Sequence, residues 1–371
     1  MAWFEFGHGL TLKLGLKLGA DQSCLGGEVK IMKSNDNTGI KPKPKRGKKV
    51  MRVLGIILAV ITVCMLIGTI LHATYFENKK EEIEPYGQMV DVYDGQMHVY
   101  KMGSGKETII LLPGMGIALP SADFGPLMRR LSENYTVVCI EYFGVGFSSQ
   151  TQRARTSENY VDEIRTALKS AGVEAPYILM PHSISSVYSE YYASKYPDEV
   201  QAIISLDGTS TAYIGDDMPS FVNSLLGVAK FQQAIGFTSI LAPIATNKDN
   251  LLSIGYTEKE IIDMLYYSGF SMNDNTLDQI ASTTYYIKDA NKLTYPENVP
   301  YFKIISRKTY ETKNSQIKIT PQEYQEQHLA RIGDQAKYEI LDGTHFIYLD
   351  NVDRISEITD EFLSDISVGN D

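Results

Sequence analysis

A strand that turns directly into a helix constrains the fold of this chain more than any other feature. The apolar run Tyr177–Met180 is typical of a buried strand, and the segment Val187–Tyr196 is typical of a helix. Too few residues separate the two for an ordinary loop, and Ser183 lies at the junction. Such a turn lifts a serine hydroxyl clear of a sheet and points the N–H of the next residue, Ile184, toward a developing oxyanion. The sequence therefore predicts a nucleophile at Ser183; a helix-capping serine is the alternative.

Apolar runs suited to strands alternate with helical patterns through most of the chain after residue 88. A turn at Asp94-Gly95 between Met89–Tyr93 and Met97–Met102 predicts a β-hairpin. Further strands are predicted where apolar runs begin, at Thr108, Tyr135, Val200, Val299 and Tyr338. Helices are predicted at 124–132, 156–171, 321–332 and 352–366. Because strands joined by helices pair in parallel, the predicted fold class is α/β, with a mostly parallel sheet flanked by helices.

Residues 212–295 interrupt this alternation. They have helical periodicity and many apolar and aromatic side chains, but no strand-like run. Helices inserted after a strand end lie over the carboxyl edge of the sheet, where open α/β folds bind their ligands. The segment is therefore predicted to form a helical lid, with an ordinary packing extension as the alternative.

An uncharged apolar segment precedes this region. Val53–Leu71 has 19 residues without a charge, and as a helix it would be about 28 Å long, close to the hydrocarbon thickness of a bilayer. Basic residues precede the segment and glutamates follow it, so the N-terminus is predicted to be cytoplasmic. We expect a single-pass protein of the cell membrane, with a transmembrane helix at 53–72 and an extracytoplasmic domain at 77–371. A cleaved signal peptide is the alternative, although no clear cleavage site follows.

Charge is unevenly distributed along the chain. Residues 1–52 have a net charge of +7, whereas the remaining residues have −17. The acidic main part argues against nucleic acid as a partner, and the basic segment is predicted to be a cytoplasmic arm. Gly26-Gly-Glu-Val29 could be encoded by a purine-rich bacterial ribosome-binding site. Met32 is therefore the hypothesised start, in which case residues 1–31 would not be translated.

Four motifs in order make the chain resemble the α/β-hydrolase superfamily over residues 89–366. They are Pro113-Gly-Met-Gly116, Gly144-x-Gly146-x-Ser148, the turn at Ser183, and Gly343-Thr-His345 before the final helix. The usual Gly-x-Ser-x-Gly turn is altered, because Pro181 and Ser185 stand where the family has glycine. The resemblance implies a membrane-anchored bacterial serine hydrolase with the α/β-hydrolase fold and a helical lid.

The resemblance also implies a general base and an acid for Ser183. His345 is the predicted base because it lies in a loop directly after a strand near the C-terminus. His182 is expected to point to the opposite side of the turn, and His328 is on a predicted helix. These two histidines are therefore not expected to act as the base.

Two carboxylates are candidates for the acid, because family members place it after either of two strands. Asp207 ends the strand that follows the serine turn, and Glu311 is the carboxylate within reach after the later strand. Asp207 is preferred, and Glu311 is the alternative. The backbone N–H groups of Met115 and Ile184 would form the oxyanion hole.

The predicted function is a serine hydrolase that cleaves an ester or amide bond through an acyl-enzyme, with carboxylic esters favoured over peptides. The substrate would be a small-molecule or lipid-like ester, or a peptide, and no cofactor or metal is required. The cysteines Cys24, Cys64 and Cys139 are scattered and predict neither a disulfide framework nor a metal site. The alternatives are a catalytically inactive, hydrolase-like binding domain and an aminopeptidase-type peptidase.

Overall fold

The computed structural model describes residues 46–215, 221–314 and 317–368. The hypothesised start at Met32 and most of the basic arm lie outside the described residues. The described strands form one eight-stranded sheet in the order β1-β2-β4-β3-β5-β6-β7-β8. The strands are β1 (Gln88–Val92), β2 (Gly95–Met102), β3 (Thr108–Leu112), β4 (Thr136–Ile140), β5 (Tyr177–Pro181), β6 (Val200–Leu206), β7 (Tyr301–Ser306) and β8 (Ala336–Leu341). Strands β3 to β8 pair in parallel, whereas β1 and β2 pair antiparallel, so the predicted α/β class is confirmed.

The central strands are apolar throughout because both faces of the sheet are covered. Successive side chains of a strand point to opposite faces. Ile110 and Leu112 of β3 pack with Val138 into the core on one face, whereas Ile109 and Leu111 belong to the core on the other face. A strand buried on both sides loses the alternation of apolar and polar residues, which explains the continuous apolar runs in the sequence.

The β1–β2 hairpin is predicted correctly, but its turn is one residue earlier than expected. Val92 pairs with Gly95, so the two-residue loop is Tyr93-Asp94, and Tyr93 has φ +50°. Gly95 lies in β2 with little space above it, since a Cβ there would clash with Ser149 Oγ. The glycine is therefore needed for close packing rather than for the turn conformation.

Helices cover both faces of the sheet. They are α1 (Arg46–Leu71), α2 (Glu77–Glu81), α3 (Pro120–Asp123), α4 (Gly125–Leu131), α5 (Ser157–Ser170), α6 (Ser185–Lys195), α7 (Phe221–Ala234), α8 (Phe237–Ala245), α9 (Lys248–Ser253), α10 (Glu258–Ser268), α11 (Asp274–Ala281), α12 (Thr283–Asn291), α13 (Arg307–Glu311), α14 (Pro321–Ile332) and α15 (Val352–Val368). Side-chain caps mark the first residue of several helices. The Thr156 hydroxyl accepts a bond from Asn159 N, and Thr320 forms a capping box with Glu323.

The apolar N-terminal segment is a long helix. Helix α1 continues through a π-helical turn, His72–Phe76, into α2. By length and composition, the helical stretch Lys49–Glu81 is long enough to cross a membrane, and little of its apolar window is buried against the protein. Near the end of this stretch, His72 Nδ1 and Ser239 Oγ of α8 are 2.9 Å apart, so the helix contacts the segment at 212–295.

Helices α7 to α12 lie between β6 and β7, within the segment predicted as a lid. Asn275 of α11 exchanges hydrogen bonds with the backbone of Thr151, and Asn273 Nδ2 donates to Gly144 O at 2.5 Å. Thr151 and Gly144 belong to the loop after β4, at the carboxyl ends of the parallel strands. The inserted helices therefore cover the edge of the sheet at which the site is predicted.

Candidate active site

Ser183 occupies a strained turn between β5 and α6. Its φ is +54°, a conformation that residues other than glycine rarely adopt and that costs about 1–3 kcal/mol. Hydrogen bonds on both sides maintain the turn: Ser183 N donates to Leu206 O at 3.2 Å and His182 N donates to Leu112 O at 2.9 Å. Neighbouring strands thus hold the serine at the carboxyl edge of the sheet.

Pro181 is in register with Leu112 of β3, but on its other side the ladder between β5 and β6 is interrupted. Strands β5 and β6 pair from Tyr177 to Leu179, and the next bridge joins His182 to Leu206. Proline has no N–H to donate, and this interval requires none from residue 181. The departure from the family pattern is therefore compatible with the turn.

Ser185, the second departure, connects the serine turn to two other loops. Its hydroxyl is buried and donates to Pro113 O at 2.5 Å, while Tyr142 Oη lies 2.7 Å from the same oxygen. Because the Ser185 proton goes to the carbonyl, Tyr142 is the donor in the second bond. The loops after β3 and β4 are thereby fastened to the start of α6.

His345 lies between Ser183 and Asp207. Its Nε2 is 2.8 Å from Ser183 Oγ and its Nδ1 is 2.7 Å from Asp207 Oδ2. The Asp207 side chain is 1% exposed, whereas that of His345 is 36% exposed. Glu311 is not part of this arrangement, because its side chain is 61% exposed at the end of α13 and faces Arg307 at 3.8 Å.

The Asp207 carboxylate is held by donors from the segment after β7. Ser306 N donates to Oδ1 at 2.9 Å, and Thr309 Oγ1 donates to Oδ2 at 2.6 Å. Ser306 also caps α13, since its hydroxyl accepts a bond from Thr309 N. The later strand thus supplies hydrogen-bond donors to the acid and not the acid itself.

The loop Pro113–Gly116 lies directly against the serine turn. A Cβ on Gly114 would clash with His182 Nδ1 and would be 3.1 Å from Ser183 Cβ, so only glycine allows this approach. Among the described residues, the N–H groups of Met115 and Ile184 donate to no protein acceptor. Both predicted donors are therefore free to bind an oxygen atom of a ligand.

The predicted orientation of His182 is wrong. Its ring is 4.8 Å from the ring of His345, and Nε2 is 2.9 Å from the carbonyl oxygen of His345. Burial lowers the pKa of His182 well below its ordinary value. The neutral ring therefore donates from Nε2, because the backbone oxygen can only accept. Gly114 packs closely against the His182 ring, and the ring in this orientation holds the His345 loop by its hydrogen bond to the backbone.

The loop after β4 wraps around a buried carboxylate. Glu141 accepts hydrogen bonds from Ser121 N at 3.0 Å and from Phe147 N at 2.7 Å. A Cβ on Gly146, which has φ +56°, would clash with this carboxylate. The second glycine of the Gly144-x-Gly146 motif thus provides both the left-handed turn and the close approach.

A cavity of about 230 Å³ lies beside the site rather than over Ser183. It is lined by Lys80 of α2, by Gln233 and Phe270 of the inserted segment, and by Ile117 and Val145 of the loops after β3 and β4. Ser183 and His345 do not line it. Within the described residues, no group of three or more His, Cys, Asp or Glu side chains could hold a metal ion.

The hydrogen bonds that five residues make at the site were not predicted from the sequence. These residues are Tyr142, His182, Ser185, Ser306 and Thr309. The Ser-x-x-Thr pattern after β7 was a readable capping signal, but its bond to Asp207 depends on the neighbouring position of β6. The roles of Tyr142 and Ser185 had no sequence signal, because they depend on loops brought together by the sheet.

A comparison with protein families identifies the same kind of protein as the fold does. The family model described as alpha/beta hydrolase fold matches residues 107–352, which is more than half of the chain. The chain belongs to the α/β-hydrolase family.

Two related proteins differ in how much of the chain they match. The Bacillus subtilis (strain 168) protein YbdG, which is uncharacterized, is 28% identical over 85% of this chain and 97% of its own length. The 2-(acetamidomethylene)succinate hydrolase of Mesorhizobium japonicum is 32% identical, but over only 32% of this chain and 42% of that protein.

Solved structures share the fold at low sequence identity. The epoxide hydrolase VrEH1 from Vigna radiata has a TM-score of 0.55 and 19% identity, and the alignment covers 77% of this chain and 99% of that one. The enol-lactonase from Burkholderia xenovorans LB400 has a TM-score of 0.51 and 16% identity, covering 75% and 100%. At such identity the likeness concerns the fold alone.

Proposed function

We propose that the protein is a membrane-anchored serine hydrolase with Ser183, His345 and Asp207 as its catalytic triad. The observation that carries this proposal is the continuous hydrogen-bonded chain Ser183 Oγ, His345 Nε2 and Nδ1, and Asp207 Oδ2, with distances of 2.8 and 2.7 Å. A nucleophile, a base and an orienting acid in this order are what acyl transfer requires.

The proposed reaction proceeds through an acyl-enzyme. His345 Nε2 takes the proton of Ser183 as Oγ attacks the substrate carbonyl carbon, and Asp207 stabilises the imidazolium that forms. The N–H groups of Met115 and Ile184 bind the oxyanion. His345 then gives the proton to the leaving alcohol or amine. Water, activated by the same histidine, releases the acid and restores Ser183.

The proposed substrate is a carboxylic ester with an apolar, lipid-like acyl group. Its support is the apolar composition of the inserted helices, which we propose act as a lid, together with the long apolar helix at Lys49–Glu81. The 2-(acetamidomethylene)succinate hydrolase among the related proteins supports hydrolysis as the reaction class. In this proposal, residues 77–371 face the outside of the cell membrane.

A fluorophosphonate probe tests the triad. We expect the full-length protein in detergent to be labelled at Ser183, and Ser183→Ala to abolish labelling. The variants His345→Ala and Asp207→Ala should slow labelling by roughly 10³-fold or more, because the hydroxyl then lacks an oriented base.

Glu311→Ala is the matched control, since its carboxylate is exposed and distant from His345; this variant should be labelled at the unaltered rate. Labelling that persists in Ser183→Ala, or a folded protein that is never labelled, would contradict the proposal. The latter result would instead favour a hydrolase-like binding domain.

A further inference from the structure

The inserted segment has an exposed apolar face on two helices. Leu225, Val228 and Phe231 of α7 recur every three residues, and Ile240 and Ile244 of α8 are four residues apart, so each set lies along one side of its helix. All five are exposed, and Ile244 is 77% exposed. A cluster of this kind on a water-facing surface is characteristic of an interaction site.

Helices α7 and α8 contain almost no charged residues. The sequence of α7 and α8 contains a single charged residue, Lys230, whose Nζ bonds to Asp274 Oδ1 at 2.5 Å. Taken together, the two helices are apolar enough to be compatible with a membrane, and they meet at an angle of 79°. A pair bent in this way is suited to lie along an interface.

The corner between α7 and α8 rests against the apolar helix α1. A Cβ on Gly68 would clash with Ile235 O, and a Cβ on Gly236 would be 2.7 Å from Gly68 O. The ring of His72 stacks on Phe270 with centroids 4.3 Å apart. Gly68 lies three residues, or about 4.5 Å, before the end of the uncharged run at Leu71.

This contact sets the position of the α7–α8 corner along the axis of α1. If Val53–Leu71 spans the hydrocarbon, the α7–α8 corner lies at its outer boundary. Interfacial helices bury their apolar side about 5–10 Å into this zone, slightly deeper than the about 4.5 Å at Gly68. The exposed apolar side chains of α7 and α8 thus belong to two helices whose corner contacts α1.

We infer that α7 and α8 are embedded in the outer leaflet beside α1, so that the proposed lid is seated in the membrane and lipid-like esters enter from the bilayer. This inference rests on the proposed anchor and the proposed hydrolytic site. The cavity is lined by Gln233 of α7 and by Ile117, which lies in the same loop as Met115. In this inference, a substrate from the leaflet reaches the proposed oxyanion hole by way of this cavity.

Spin-label depth measurements on the full-length protein in phosphatidylcholine liposomes test the inference. Cys24 and Cys64 are replaced by alanine, and the buried Cys139 is retained. Labels are then placed singly at Val228→Cys, Phe231→Cys and Ile244→Cys. The matched control is Tyr338→Cys, an exposed aromatic position on β8.

We expect molecular oxygen to relax the three labels on α7 and α8 more strongly than a water-soluble nickel chelate does, and the reverse at position 338. Equal chelate access at all four positions would overturn the inference. Strong spin–spin broadening between labels of neighbouring molecules, without oxygen access, would also overturn it, because a second copy of the chain would then cover the face.

A second variant separates this inference from the proposed chemistry. In the triple variant Val228→Asp, Phe231→Asp, Ile244→Asp, we expect unchanged fluorophosphonate labelling, which shows that the site is folded, and unchanged cleavage of a soluble short-chain ester. Cleavage of a long-chain ester embedded in the liposomes should fall about tenfold. An unchanged rate on the embedded ester would contradict entry from the bilayer.

A failure of the proposed chemistry would look different. If no ester were cleaved and Ser183 were never labelled, the depth measurement would still decide whether α7 and α8 lie in the leaflet.

Discussion

At the scale of single residues, Ser185 replaces a glycine of the family pattern with a structural hydroxyl. Its bond to Pro113 O and the bond from Tyr142 Oη are both buried. Buried polar groups that lose a partner cost about 1–3 kcal/mol, so this chain of bonds resists movement of the loop after β3. We therefore propose that Ser185 positions the N–H of Met115, the proposed oxyanion donor.

Ser185→Ala should lower kcat about tenfold with little change in KM, because the loop that carries Met115 loses its attachment and binds the transition state less well. The measurement is steady-state kinetics on a soluble ester. Ser186→Ala is the matched control, since its buried hydroxyl bonds only to Ser205 Oγ at 2.9 Å. An equal loss of kcat in both variants would indicate a general effect on α6 instead.

We propose that Thr309 is a second positioning residue. Thr309→Val removes a hydroxyl that donates to the Asp207 carboxylate, and hydrogen bonds to charged groups contribute about 1.5–3 kcal/mol. We expect kcat/KM to fall about tenfold or more, and Thr309→Ser to restore it. If valine and serine behaved alike, the hydroxyl would have no part in holding Asp207.

At the level of helices and strands, a buried row of hydrogen-bonded ionisable side chains joins a strand to two helices. Lys303 Nζ of β7 lies 2.5 Å from His328 Nδ1 of α14, and His328 Nε2 lies 2.7 Å from Glu190 Oε1 of α6. Burial lowers the pKa of Lys303 to about 8, so the ammonium is still charged at neutral pH. Burial and the nearby Lys303 lower the pKa of His328, against the opposing effect of Glu190.

The same row of side chains keeps Glu190 ionised. Burial alone would raise the pKa of this carboxyl, but His328, Thr211 and Lys303 outweigh burial and lower it. Neutral His328 therefore accepts a hydrogen bond from the Lys303 ammonium at Nδ1 and donates one to the Glu190 carboxylate from Nε2. These bonds link the helix after Ser183 to α14, which packs into the core on the same face of the sheet.

This arrangement predicts a loss of stability between pH 6.5 and 5. A histidine with a lowered pKa stays neutral when folded, whereas the unfolded chain takes up the proton below about pH 6.5, so acid favours unfolding by up to about 1.4 kcal/mol per pH unit for each such group. Thermal unfolding, followed by circular dichroism in detergent, should show a lower Tm at pH 5.5 than at pH 7.5.

The variant His328→Gln isolates the contribution of this residue. Glutamine can keep one donor and one acceptor but does not titrate, so the pH-dependent fall in Tm should be smaller, and the contribution of His182 should remain. An identical fall in the variant and the unaltered protein would exclude His328 as a source.

At the scale of the whole molecule, the proposed topology follows from the position of charge around α1. The basic arm precedes the apolar run and the acidic domain follows it, as expected for an N-terminus in the cytoplasm. Tyr338 on β8 and Lys49 at the start of the helix are both exposed and lie on opposite sides of the run. They are suitable reporter positions.

A membrane-impermeant maleimide should label Tyr338→Cys on intact cells, and Lys49→Cys only after lysis, in a chain with Cys24 and Cys64 replaced by alanine. If only Lys49→Cys were labelled on intact cells, the orientation would be the opposite of the proposed one. Appearance of the domain in the medium without residue 49 would support the cleaved-signal alternative.

Much of this fold could be predicted because the responsible forces are local in sequence. Continuous apolar runs predict buried parallel strands, since both faces of such a strand need the same kind of side chain. Capping residues such as Thr156 marked the start of a helix correctly. The hairpin turn was one residue out, because Gly95 serves packing against Ser149 and not the turn.

The α/β class, the serine turn and the order of Ser183, Asp207 and His345 could be predicted without a structure, because each depends on neighbours along the chain. The structure was needed to show that Asp207 rather than Glu311 lies behind His345, and that His182 faces the His345 loop. It also decided that α7 and α8 rest against α1. These facts depend on strands and helices far apart in sequence, whose distances are set by sheet order and packing and by no local pattern.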